Sequence, residues 1–130
     1  IASPRLDMLN AQPQTAFQAD IAANGIDLLS PPLVVDRATF IHPNDYSGCQ
    51  SLARQARRAG VALIRYESVR DPEHRPCGAL LHWKGFARAA PSNAQTWMLE
   101  VGRDRVSWRG TNPIDPMQWD FYATHWVYPR

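Results

Sequence analysis

"NDYSGCQSLARQARRAGVALIRYESVRDPEHRPCGALLHW" (residues 44–83) sets a helix, a buried strand, a charged loop and a second strand in succession. Asn44, Asp45 or Ser47 can cap the start of the helix, and Gly60 stands just past its end. Cys49, Leu52, Ala53 and Ala56 recur at i, i+3, i+4 and i+7, one apolar face of small residues suited to close packing on a sheet. Arg54, Arg57 and Arg58 lie toward the last turn, where positive charge complements the helix dipole. Val61, Leu63 and Ile64 then read as a core strand ending at Tyr66, with "CGALLHW" as its neighbour. A helix followed by two strands predicts a mixed α+β fold: a small, mainly antiparallel sheet flanked by short helices.

Upstream, "PQTAFQADIAA" places Phe17, Ala19 and Ile21 at period two and predicts a strand. Asn24-Gly25 is a turn signal, followed by a short apolar run that two prolines stop. "PPLVVDRATFIHP" reads either as a short helix with Pro32 in its first turn or as an irregular corner. Downstream, Trp97, Leu99 and Val101 alternate, "GRD" turns, and Val106 and Trp108 alternate again, a hairpin signature. The tail "NPIDPMQWDFYATHWVYPR" has no clean period and is expected to wrap over the core.

A chain of 130 residues suffices for one domain with one core, and 45% apolar with 20% charged residues is ordinary for a soluble protein. Its 11 prolines call for short elements with many corners. Net charge +2 is too small to imply nucleic acid. Of the 14 basic residues only Lys84 is a lysine. That bias reflects either codon usage or a use for planar forks that grip phosphate and carboxylate. Cys49 and Cys77 fit neither a metal spacing nor a secreted disulfide framework and read as reduced thiols of a cytoplasmic protein. No run approaches the ~18 apolar residues of a membrane span, and no signal peptide is visible. The chain begins at Ile1, and "IASPRLDMLN" does not look like a natural start, so its beginning is expected to have been removed.

Few residues have the pattern of a chemical site. His42, His74, His82 and His125 have no partner at helical spacing, which argues against zinc. His82 alternates within an apolar strand and reads as a core histidine. Glu67, Asp71 and Glu73 read as solvated loop acids rather than a catalytic pair. The Arg54, Arg57 and Arg58 face reads as a solvated surface. Of Trp83, Trp97, Trp108, Trp119 and Trp126, three fall on strand patterns and read as core rather than base-stacking platforms. Ser68 and Arg70 follow directly on a buried strand, a rigid platform from which loops carry function. A hydroxyl there can hold a ribose or an amide, and an arginine two positions on can grip a diphosphate; an ordinary turn serine has the same pattern.

The segment "DYSGCQSLARQARRAGVALIRYESVRDPEHRPCGALL" resembles the second half of a RES domain. Asp45-Tyr46, the alanine- and arginine-rich helix, then Tyr66, Ser68 and Arg70 in a Y-x-S-x-R strand end, then Cys77, Ala79, Leu80 and Leu81 follow that pattern in order. The stretch from Ser3 to Pro43 fits more loosely as the part leading in. The resemblance implies a single RES-like domain over residues 1–130 without its N-terminal part, and an ADP-ribosyltransferase-like fold. It implies NAD as substrate, no cofactor and no metal. Such proteins are typically bacterial toxins that consume NAD by glycohydrolysis or phosphorolysis and are restrained by an antitoxin with a helix-turn-helix domain. Two alternatives are a protein mono-ADP-ribosyltransferase and a catalytically inactive binding module of the same fold. Neither direct contact with nucleic acid nor a membrane is implied, and nothing sets the oligomeric state.

Of the family's arginine, glutamate and serine, only the serine carries over, onto Ser68. The other two belong to an earlier part of the domain, and Arg5 and Asp7 do not match them. The resemblance makes Ser68 the catalytic residue, a donor or orienter at the nicotinamide end rather than a nucleophile. Tyr66 and Arg70 become substrate-binding residues. Tyr66 walls the pocket or packs in the core. Arg70 holds diphosphate or pins the loop to Asp71 or Glu73.

Overall fold

Hydrogen bonding at its end defines the helix that organises the first unit. A computed structural model describes residues 10–125. Helix α1 is one turn, Arg37–Phe40, preceded by a 3-10 turn over Leu33–Asp36; helix α2 runs Ser47–Arg58. The N–H of Gly60 bonds the Arg57 carbonyl at 3.2 Å and the N–H of Val61 bonds the Ala56 carbonyl at 2.9 Å. This is a Schellman closure, and it needs the left-handed backbone that Gly60 supplies at φ 75°. At the other end Tyr46 holds the capping position without a side-chain bond to the helix. The Asp45 carboxylate, one residue earlier, accepts from the Ser47 N–H at 3.0 Å and the Ser47 hydroxyl at 2.6 Å. These bonds from Ser47 hold the Asp45 carboxyl below its usual range.

Three strands lie with this helix in the unit spanning Asp20–Ala89. Strands β2 (Gly25–Asp27), β3 (Leu63–Glu67) and β4 (Pro76–Leu80) form a sheet in the order β2-β3-β4. The β2–β3 pair is parallel and the β3–β4 pair antiparallel. The predicted Asn24-Gly25 turn is therefore the entry to a strand. Glycine is required there by close approach, since a Cβ on Gly25 would stand 2.7 Å from the Leu63 carbonyl oxygen. The proline-rich segment takes the helical alternative, a 3-10 turn capped by Pro32 and running into one turn of α-helix.

Leu28, Ala56 and Ile64 are the buried centre of this unit. Leu52, Ala53, Tyr66 and Ala79 pack around them, as the predicted helix face and core strand require. The alanines keep α2 near the sheet. Gly48 does the same against α1, where a Cβ would stand 2.4 Å from Thr39 Cγ2.

The second unit joins the residues before Asp20 to those after Ala89. Strands β1 (Gln12–Gln18), β5 (Ser92–Val101), β6 (Arg105–Gly110) and β7 (Gln118–Tyr122) form an antiparallel sheet in the order β1-β5-β6-β7. The fold is thus α+β, with two sheets where one was expected. The predicted hairpin is β5–β6, with Val101 opposite Val106. The tail, expected to wrap irregularly, supplies β7; Trp119 faces Trp108 and Phe121 faces Val106 across that pair. Its polar registry is specific, with the buried Ser107 hydroxyl donating to Asp120 Oδ1 at 2.5 Å. Trp126 lies outside the described residues. Phe17, placed by its period on an apolar face, is 60% exposed.

Ile64 is 6% exposed at the helix–sheet contact, whereas Val35 is 81% exposed. Ile64→Ala is expected to cost about 2–5 kcal/mol and Val35→Ala under about 0.5 kcal/mol. Urea unfolding of both variants measures the contrast.

Candidate functional site

The loop joining β3 to β4 is built around one carboxylate. Ser68 N–H bonds the Arg75 carbonyl at 3.0 Å and closes the loop. Inside it, Asp71 accepts from the backbone N–H of Glu73 at 3.1 Å and of Arg75 at 3.3 Å. The Arg75 guanidinium adds two bonds, Nε to Oδ2 at 2.5 Å and a terminal nitrogen to Oδ1 at 3.0 Å. The Arg75 guanidinium first, and then those backbone donors, hold the Asp71 carboxyl far below its usual range against the cost of burial.

Ser68 is half-buried, and its Oγ accepts from the Asp71 N–H at 3.2 Å. This is the turn-serine arrangement. It occupies the oxygen as an acceptor and leaves the O–H as a donor group.

Arg70 reaches from the loop to the segment that leads into α2. Its guanidinium donates to the Pro43 carbonyl at 3.0 Å and to the Tyr46 hydroxyl at 3.0 Å. Tyr46 in turn donates to Pro43 at 3.0 Å. The Asp45-Tyr46 pair and the Tyr66-x-Ser68-x-Arg70 strand end, twenty residues apart in the chain, are thereby tied side by side. Tyr66 is half-buried and packs on the core. Burial pushes its hydroxyl up, and the neighbouring thiols of Cys77 and Cys49 add to this. Cys77 lies opposite Tyr66 on β4, and the Cys49 thiol donates to the Phe40 carbonyl at 3.1 Å. Both cysteines are free, and burial raises the Cys49 thiol.

Of the three loop acids that the sequence suggested were solvated, Glu73 is, whereas Glu67 and Asp71 are largely buried. The Glu67 side chain is 10% exposed, against 70% for Glu73. Arg37 of α1 grips Glu67 with two bonds of 2.8 and 2.6 Å, and His74 Nδ1 stands 3.2 Å away. The Arg37 bonds lower the Glu67 carboxyl, and Glu67 raises Arg37. Sequence reasoning missed this pair because thirty residues separate its members. The available signal was a carboxylate at the last position of a strand, directly before the singled-out hydroxyl.

His82 is exposed rather than a core residue. Its Nδ1 accepts from the Lys84 N–H at 3.1 Å and caps the 3-10 turn Trp83–Gly85. Trp83, also assigned to the core from its pattern, is 72% exposed and stacks on His82. Trp97 and Trp108 are half-buried in the second unit. No group of three metal-ligating side chains occurs among the described residues. No helix among them is long and apolar enough to cross a membrane. Two described clefts lie in the second unit, one of about 290 Å³ lined in part by Trp97, Asn112 and Asp115, and neither includes Ser68.

A model of the RES domain matches residues 1–102, more than half of the chain. The chain belongs to the RES domain family. The matched span contains both segments that Arg70 joins, the helix between them and the whole first unit. No curated protein matches this RES-domain chain.

The lowered carboxyls of Asp71 and Glu67 give the first unit a defined acid response. Groups whose folded pKa lies below the unfolded value contribute stability that is complete above the unfolded pKa and lost as pH falls through the folded one. Stability against urea is therefore expected to fall as pH drops below ~4, the unfolded carboxyl range. Asp71→Asn is expected to flatten that slope and to lower stability at pH 7. An unchanged slope would show that Asp71 does not anchor the loop.

Proposed function

We propose that this RES-domain protein is an NAD-consuming enzyme, a glycohydrolase or phosphorylase, acting in the bacterial cytoplasm as the toxin of a toxin–antitoxin pair. The observation that carries this reading is the junction made by Arg70. It joins the two family segments, Asp45-Tyr46 and Tyr66-x-Ser68-x-Arg70, into one platform beside Ser68.

In the proposed reaction the bond from ribose C1′ to the nicotinamide nitrogen breaks. Its electron pair leaves on nicotinamide, and positive charge develops on the sugar. Water or phosphate then adds to C1′; water loses a proton in doing so. In glycoside hydrolysis a carboxylate stabilises charge of this kind. Ser68 contributes its O–H as a fixed donor to the amide or ribose, preorganised because its oxygen is already held by the Asp71 N–H. Tyr66 supplies an apolar wall backed by the core. Arg70 holds the loop against Tyr46 and places a positive charge near the diphosphate. NAD is the substrate, and the mechanism uses neither cofactor nor metal. An antitoxin with a helix-turn-helix domain is the proposed restraining partner.

A second reading is favoured by a specific observation. Ser68, Arg70, Asp71 and Glu67 all have partners inside the protein, as they would in a binding module that keeps the fold without catalysis. Protein mono-ADP-ribosylation would use the same site with a different acceptor.

Incubation of the full-length protein with NAD, with free nicotinamide measured, separates these readings. The wild type is expected to release nicotinamide and Ser68→Ala to slow release by ~10²–10³. The serine also holds its loop by a bond worth about 0.5–1.5 kcal/mol, so circular dichroism must show Ser68→Ala folded. NAD left intact by the wild type selects the binding module. Label from NAD on protein, without free ADP-ribose, selects the transferase.

A further inference from the structure

Helix α2 carries an outward stripe that the site does not use. Gln50, Arg54, Arg57 and Arg58 are exposed and fall at i, i+4, i+7 and i+8, a strip ~12 Å long on one face. The other arginines of the first unit are engaged. Arg37 meets Glu67, Arg65 meets Asp27, Arg75 meets Asp71 and Arg88 meets Asp20. Arg70 meets Tyr46 and Pro43. Among the described residues, Arg54, Arg57 and Arg58 meet no carboxylate or other hydrogen-bond acceptor. The helix dipole accounts for part of this arrangement, because Arg57 and Arg58 stand in the last turn. It does not account for Arg54, a turn earlier, where the end effect has decayed.

We propose that this stripe docks an acidic helical segment of a partner protein. Three guanidinium forks at i, i+3 and i+4 on one face match carboxylates three and four residues apart on a facing helix. Nucleic acid fits less well. Proteins held by its backbone commonly neutralise ~6–10 phosphates, and the stripe has three charges and no aromatic side chain on which a base could stack. A membrane surface fits less well too, because peripheral anchoring adds an inserted apolar face and the outward residues are glutamine and arginine. The inference is independent of whether the protein consumes NAD.

The test measures binding of a labelled helical peptide, alanine-rich with glutamates at i, i+3 and i+4, to the full-length protein by fluorescence anisotropy. Saturable one-to-one binding is expected, weakening with salt and falling about tenfold in Arg54→Gln/Arg57→Gln/Arg58→Gln, from three exposed ion pairs. Arg103→Gln, outside this unit, is expected to leave it unchanged. A peptide with lysine in place of each glutamate is expected not to bind, a control that leaves the protein unaltered. Three results would overturn the proposal. They are no binding of the acidic peptide, equal binding by the triple variant, and tighter binding through the same arginines to a single-stranded oligonucleotide or phosphatidylserine vesicles.

Discussion

The contact of α2 with the three-stranded sheet is the constraint on which the rest of the first unit depends. Only Leu28, Ala56 and Ile64 form its buried hydrophobic centre. Burial of Leu28 and of Ile64 contributes at most about 1.5–3 kcal/mol each, so a core this small leaves little reserve. Ala56 lets the helix approach closely, and Gly60 turns the chain straight back into β3. That return fixes where β3 ends, and the end of β3 is where Glu67, Ser68 and the charged loop begin.

The loop is then held by polar bonds rather than by packing. Asp71 gathers two backbone N–H groups and the Arg75 guanidinium, Glu67 takes Arg37, and Arg70 reaches Tyr46 and Pro43. Each exposed ion pair is a weak contributor alone. Together they over-determine one conformation, including a left-handed His74 at φ 51° that an isolated loop would avoid. A platform fixed in this way suits a site that must present a hydroxyl without reorganising. It also means that charge, and therefore pH and salt, bears on the site more than on the core.

Part of this was legible in the chain itself. The helix from Ser47, its apolar face, the stop at Gly60, the strand through Ile64 and the β5–β6 hairpin all follow from local periodicity and turn chemistry. Ser68 and Arg70 stood out because they follow a core strand. The failures share one cause, in that they depend on distant neighbours. Gly25 reads as a turn residue until Leu63 lies against it. His82 and Trp83 alternate like core residues, but the strand stops at Leu80, which leaves them on an exposed 3-10 turn. The 118–122 segment has no convincing period, and becomes a strand because β6 offers it an open edge.

Composition and local pattern determined the α+β class, the main elements and the family resemblance, since these rest on interactions within a few residues. Tertiary structure decided which charges meet. Arg37 with Glu67 and Arg70 with Tyr46 each span more than twenty positions. Local patterns say nothing about which long side chains face one another after folding, because that depends on where packed elements carry their ends.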